Sequence, residues 1–197
     1  MKVLLASGNP HKAEELNDLF EQTIIHVDAA PEKLEVVEDG ESYHANALLK
    51  AKAYYDRFKH PVVADDSGLN ILKIPDQLGI HSARFGGEGI DYRTRNQLLL
   101  ELMKDIPKGE REAYFSCVLC FYLSPEEIYF FEGRVEGEIG FAPKGEHGFG
   151  YDPVFYPSKA PNGESLAELP QWKQENSHRA RAAQAAQSFF KVESKTI

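Results

Sequence analysis

The chain has only two cysteines among its 197 residues, and both fall in Tyr114-Phe115-Ser116-Cys117-Val118-Leu119-Cys120-Phe121-Tyr122. That segment reads as a buried strand, on which residues three apart face opposite sides. The C-x-x-C spacing therefore supplies neither a redox pair nor half of a zinc site, and no second pair exists to complete one. No apolar run is long enough to cross a bilayer, and the apolar part of Met1-Lys2-Val3-Leu4-Leu5-Ala6-Ser7 is too short for a signal peptide. A cytoplasmic protein with no membrane partner is expected. Positive charge is scarce as well: 22 Lys and Arg against 31 Asp and Glu leave a net charge of −9. Bulk attraction to polynucleotides or anionic lipid is thereby disfavoured, so an anionic ligand has to be held by a local cluster of cations. A small phosphorylated molecule fits that balance and duplex DNA does not. With no repeat and no low-complexity linker beyond a mild Pro/Gly-rich loop near Pro157 to Gly163, and with 42% hydrophobic residues, one domain over residues 1–197 is expected.

What is present alternates between strand and helix patterns. Lys2 to Ser7 reads as a strand and Gly8-Asn9-Pro10 as a turn. His11 to Phe20 reads as a helix with Leu16, Leu19 and Phe20 inward. A strand at Ile24 to Val27 precedes a polar loop through Glu38-Asp39-Gly40 and a helix from about Ser42 to Phe58, on which Ala47, Ala51, Tyr54 and Phe58 recur at helical spacing. Pro61 to Ala64 reads as a buried strand ending on Asp65-Asp66-Ser67-Gly68, with Leu69 to Leu72 as another. Asp91 caps a helix to Met103 whose apolar side carries Leu98, Leu99 and Met103. Two long strands, Glu112 to Leu123 and Ile128 to Gly140, form a hairpin. A short strand at Val154 to Tyr156, a polar loop and a helix from Ser177 through Val192 close the chain. The class is α/β with a mixed sheet.

Five clusters can carry chemistry. In Gly148-Phe149-Gly150-Tyr151-Asp152-Pro153 the glycines free the backbone around a ring and an acid, which suits a planar hydrogen-bonding ligand; the competing reading is a turn with Phe149 as a core plug. Ser7 to Lys12 places backbone amides at a helix start, where an anion is favoured and a cation such as Lys12 is not, unless an anion sits between them. Asp65 and Asp66 are adjacent acids at an expected strand terminus, where a hard divalent cation would relieve their repulsion; the alternative is a solvated Asx-turn. Asn46 and Lys50 share one helix face, which near the Glu38 loop makes Lys50 a phosphate candidate. Lys173 and Ser177-His178-Arg179 put donors near the start of the last helix, with Ser177 as a cap.

In order between Val3 and about Arg181, S-G-N-P-H-K, N-A-L-L-K-A, A-D-D-S-G-L, H-S-A-R-F, G-F-G-Y-D-P and S-H-R-A resemble the inosine/xanthosine triphosphate pyrophosphatase family of non-standard purine nucleoside triphosphatases. The resemblance implies a mixed, elongated, twisted sheet flanked by helices, with an active cleft between two lobes. It also implies a Mg²⁺-dependent homodimer that hydrolyses ITP, dITP and XTP to the monophosphate and pyrophosphate. By position, Ser7, Gly8, Asn9, Pro10, His11 and Lys12 match the phosphate-binding segment, and Lys50 joins them. Asp66 matches the acid that serves as metal ligand and proton acceptor, with Ser67 on the substrate side. Phe149, Gly150, Tyr151 and Asp152 match the base-holding loop, Phe149 stacking on the purine, while Lys173, His178 and Arg179 match the remaining nucleotide contacts. Many relatives carry a metal-binding glutamate at the position of Val37 here. The adjacent Glu38 is the first candidate to replace it as the second metal ligand, with Asp65 and Asp39 the next candidates.

The chemistry of the bases fits this reading. Hypoxanthine and xanthine present a 6-oxo acceptor where adenine presents an amino donor, so donors from Arg179, His178 or backbone N–H would face a donor in ATP, at about 1–3 kcal/mol per unpaired group. Two alternatives stay open from the residues: a pyrophosphatase of another nucleotide such as a modified pyrimidine, and a nucleotide-sensing module without turnover, against which Asp66 argues.

Overall fold

The computed structural model describes residues 1–21 and 23–193, and among these six strands and five α-helices follow one another. They are β1 (Lys2–Ala6), α1 (Pro10–Phe20), β2 (His26–Ala29), α2 (Tyr43–Phe58), β3 (Val62–Ile71), α3 (Tyr92–Leu102), β4 (Glu112–Ser124), β5 (Glu127–Ile139), β6 (Phe155–Pro157), α4 (Pro170–Asn176) and α5 (His178–Glu193). The strand order is β2-β1-β3-β4-β5-β6. β1 is parallel to both β2 and β3, and β6 is antiparallel to β5, so the sheet is mixed as expected. No helix of the described residues is long and apolar enough to cross a membrane.

The chain divides into two compact units, and β3, β4 and β5 each contribute residues to both. The first comprises Met1–Ser67, Cys117–Gly133 and the chain from His178 on; the second comprises Gly68–Ser116 and Arg134–Ser177. The first unit has two cores. One gathers Leu5, Leu16, Phe20, Val63, Cys117, Leu119, Phe121, Ala183 and Phe190; the other gathers Ala6, Ala47, Ala51, Tyr54, Val62, Ala64, Val118 and Cys120. Alternation along β3 and β4 sends successive side chains to different cores. Cys117 and Cys120 fall in separate clusters, and burial pushes both thiols up to about 12, which leaves them inert near neutral pH. The core of the second unit contains Leu69, Ile71, Leu99, Met103, Phe115, Val135, Tyr151 and Phe155.

Local chemistry explains where the elements differ from the pattern. β2 begins at His26 rather than Ile24 because Thr23 Oγ1 accepts the Ile25 N–H at 3.1 Å and donates to the Ile25 carbonyl, competing with the ladder. β3 runs unbroken through Asp65-Asp66-Ser67-Gly68: its place between β1 and β4 gives it ladder partners on both edges, which outweigh the local turn preference. α4 was hidden in what reads as a polar loop; its signal is Pro170 in the first helical turn, preceded by the capping box of Ser165 and Glu168. Ser177 closes α4, its N–H donating to Lys173 O at 3.0 Å, and α5 starts at the next residue. Leu98, placed on the apolar side of α3 by its spacing, is 42% exposed, and Leu99 is the residue that is buried.

Candidate active site

The first unit builds a compact charge network. Asp65 and Asp66 are consecutive on β3, so they point to opposite faces and meet different helices. Asp65 faces α1 and α5: Arg179 Nη2 and Nε donate to Asp65 Oδ2 at 2.9 and 3.3 Å, and Lys12 Nζ lies 3.3 Å from the same oxygen. Ser67 Oγ also donates to Asp65 Oδ2, at 3.3 Å. Asp66 faces α2: Asn46 Nδ2 donates to Asp66 Oδ2 at 3.2 Å, and Lys50 Nζ lies 3.7 Å from Asp66 Oδ1. The two acids thus occupy the middle of a strand rather than its terminus, and each is compensated by the chain's own donors. Lys12, disfavoured by the dipole of α1, is offset by Asp65.

The neighbouring acids are tuned in opposite directions. Burial would push Asp65 up, yet Lys12, Arg179 and Lys50 together hold it well below the usual carboxylate range. Burial raises Asp66, and there Lys50 and Lys12 do not offset it fully. Burial alone would lower Lys50, but Asp65, Asp66 and Glu38 keep its ammonium charged. A raised acid beside a fully ionised one is the arrangement from which a proton acceptor is drawn.

Lys50 Nζ is also 2.9 Å from Glu38 Oε2, so the carboxylates of Glu38 and Asp66 converge on the Lys50 ammonium. Val37, by contrast, is 76% exposed. Among the described residues no three His, Cys, Asp or Glu side chains gather as metal ligands. Mg²⁺ is commonly held by one or two carboxylates together with substrate phosphates and water, and Glu38 with Asp66 fits that mode rather than a closed protein cage. The Ser7–Lys12 segment leads into α1. Its Asn9 Oδ1 caps the helix by accepting the N–H groups of His11 and Lys12 at 3.0 and 3.5 Å, so these amides have a partner within the chain.

The second unit carries a different cluster. Asp152 Oδ2 accepts from Phe149 N at 2.8 Å and from Lys173 Nζ at 2.7 Å, and Lys173 Nζ stands 4.5 Å from the centre of the Phe149 ring. Gly148 has φ +75°, and a Cβ there would come within 2.2 Å of Asp152 Oδ2, so this turn needs glycine. Gly150 offers its carbonyl to Asn96 Nδ2 at 3.0 Å, and the buried Tyr151 hydroxyl donates to Ser82 O at 2.7 Å. The loop is therefore held as a rigid support for the half-buried Phe149 ring.

In the first unit the structure gathers Lys12, Ser67 and Arg179 on Asp65 and, on the other face of β3, Lys50 and Glu38 with Asp66; in the second it gathers Phe149, Gly150, Tyr151, Asp152 and Lys173. His178 is the first residue of α5 and is 5% exposed. Arg179 was expected at a base edge; its guanidinium here contacts Asp65, Ser67 at 3.0 Å and Glu15 at 2.5 Å. Sequence reasoning passed over Glu15 and Asn96, whose roles depend on tertiary partners; it gave Ser82 no role beyond its place in H-S-A-R-F, and Asn46 none beyond its motif and the helix face it shares with Lys50.

Comparison with known proteins follows the same lines. The sequence model of the Ham1 family matches residues 3–189. A dITP/XTP pyrophosphatase of a Thermoanaerobacter species is 37% identical over 194 residues, covering 96% of each chain. One of Thermus thermophilus is 40% identical over 196 residues, covering 97% of this chain and 92% of its own. Among solved structures, the HAM1 protein of Coxiella burnetii superposes with a TM-score of 0.88 at 31% identity, covering 98% of this chain and 99% of that one.

Proposed function

The chain belongs to the Ham1 family, and on that premise we propose that its two clusters divide the work of a nucleoside-triphosphate pyrophosphatase acting on non-standard purine nucleotides. The observation that carries this reading is the pair of opposite tunings at Asp65 and Asp66: one acid is locked as an anion among cations, while its neighbour is destabilised by burial and flanked by Lys50 and Glu38. The enzyme hydrolyses triphosphates of deaminated purines, ITP, dITP and XTP. We assign the products as the monophosphate and pyrophosphate, so water attacks the α-phosphorus. Asp66 accepts the proton of that water. Lys12 and Lys50 take charge from the departing pyrophosphate, with the Ser7–Lys12 segment supporting the phosphates. Asp66 and Glu38 would hold Mg²⁺, which would supply neutralisation of the phosphate charge.

The second cluster suits the base. Phe149 supplies a stacking surface, and Lys173, anchored on Asp152, supplies a cationic donor next to the ring. A 6-oxo acceptor would be welcomed there, whereas the 6-amino group of adenine would face a donor, at about 1–3 kcal/mol. Arg179, engaged by Asp65, Ser67 and Glu15, is read as the anchor of Asp65, with the 6-oxo contact passing to Lys173. We further propose that residues 1–197 act as one catalytic domain, in a cytoplasmic homodimer.

The test of the function is pyrophosphate release across a panel of purine and pyrimidine nucleoside triphosphates, with and without Mg²⁺. Release confined to ITP, dITP and XTP in the presence of metal supports the reading. Preference for a modified pyrimidine, or tight binding without turnover, would replace it. Two substitutions probe the assignments further. Glu38→Gln should raise the Mg²⁺ concentration for half-maximal rate and affect the rate at saturating metal much less; an unchanged metal requirement removes Glu38 from the ligand set. Phe149→Ala should weaken kcat/KM for ITP and residual GTP alike, by about 1–3 kcal/mol. If the loss is confined to one of the two bases, Phe149 is not a general stacking platform.

A further inference from the structure

We propose that Asn46 is a positioning residue for the metal-directed acids, a single side-chain amide that ties the loop carrying Glu38 to Asp66 on β3. The proposal rests on the reading of Glu38 and Asp66 as the Mg²⁺ ligands. Asn46 is 1% exposed, on α2 one turn before Lys50. Its Nδ2 donates to Asp66 Oδ2 at 3.2 Å, and its Oδ1 accepts from Gly40 N at 2.8 Å. Gly40 lies two residues after Glu38, so one end of this amide fixes the loop and the other fixes the acid.

Only a neutral amide satisfies both ends. An acid at position 46 would repel Asp66, and an apolar side chain would leave the half-buried Gly40 N–H and the buried Asp66 carboxylate each short of a partner. The loop is fitted to the same contact: a Cβ at residue 40 would lie 2.7 Å from Asn46 Oδ1, 2.7 Å from Ala45 Cβ and 3.0 Å from Asn46 N. α2 has its own anchors, the cap from Ser42 and the buried Ala47, Ala51 and Tyr54. The polar contacts of the Asn46 side chain are thus directed at the two acid-bearing segments. Residues that orient metal ligands without touching the metal commonly govern affinity about 10–100-fold.

The experiment measures Mn²⁺ affinity by electron paramagnetic resonance, without nucleotide, for the wild type, Asn46→Leu and Gly40→Ala, with folding followed by circular dichroism. Both variants are expected to bind Mn²⁺ about 10-fold or more weakly. In parallel, Mg²⁺ titration of the isotope-labelled wild type should shift the Asn46 side-chain NH₂ and the Gly40 amide resonances with one common midpoint. Folded variants with wild-type Mn²⁺ affinity, or Asn46 resonances that stay still while Mg²⁺ saturates, overturn the proposal. If neither variant folds, the wild-type titration decides. A wild type that binds Mn²⁺ but releases no pyrophosphate overturns the proposed activity and leaves this result standing, whereas one that binds no Mn²⁺ overturns this proposal and leaves the activity to the pyrophosphate-release panel.

Discussion

Asp66→Asn is expected to lower kcat for pyrophosphate release from ITP by about 10²-fold or more, because the amide keeps the shape of the side chain and cannot accept the proton of the attacking water. Binding of ITP should survive, since Lys12 and Lys50 remain to meet the phosphates. The substitution should also leave stability unchanged or slightly higher. Burial raises the Asp66 pKa in the folded protein. For an acid whose folded value lies above its unfolded value, the folded state binds the proton more tightly, so stability is lost as pH rises through the folded pKa and the ionised form is a cost near neutrality. Removing the charge removes that cost. The measurements are steady-state kinetics, equilibrium ITP binding and a thermal melt. A folded variant with near wild-type turnover would take Asp66 out of the mechanism, and a large drop in melting temperature would make it a structural residue instead.

The division of roles between Asp65 and Asp66 shows how far the sequence could be read. Motif order exposed both acids, Lys12, Lys50, Lys173 and the Phe149 loop, because each is a local pattern of a few residues. It also exposed the mixed sheet, since the hairpin and the alternating strands and helices leave clear hydrophobic periods. Two equal carboxylates side by side cannot be ranked from their spacing, however. Their difference arises when β3 runs straight through them and alternation turns one toward Arg179 and Lys12 and the other toward Asn46 and Lys50. The continuity of β3 was itself illegible, because Asp-Asp-Ser-Gly has turn propensity and only two neighbouring strands override it. The partners of Arg179 were illegible in the same way: Asp65 and Glu15, distant in sequence, reach its guanidinium only through the fold. α4 is only seven residues long, too short for a helical period to declare itself.

Asp65→Asn should act on stability where Asp66→Asn acts on turnover. Asp65 and Arg179 are each 1% exposed, and the guanidinium gives two of its N–H groups to Asp65 Oδ2. Removing one partner of a buried pair leaves a desolvated charge, at a cost of about 3–5 kcal/mol, with the lower end expected here because Glu15 still holds Arg179. Lys12 loses its carboxylate at the same time. The pH dependence gives a second signature. The cations around Asp65 depress its folded value below the ordinary 3.8, outweighing the opposite effect of burial. Its contribution to stability is therefore complete above the unfolded pKa and is lost as pH falls below about 4 toward the folded value. Wild type should lose stability over that acidic range, and Asp65→Asn should lose less there while starting from a lower plateau at neutral pH. Denaturant unfolding at several pH values, with m compared between the proteins, checks both arms. A neutral-pH difference under about 0.5 kcal/mol, the size of an ordinary surface substitution, would mean that Arg179 is anchored by Glu15 and Ser67 without Asp65 and that the acid is ionised for the sake of the ligand alone.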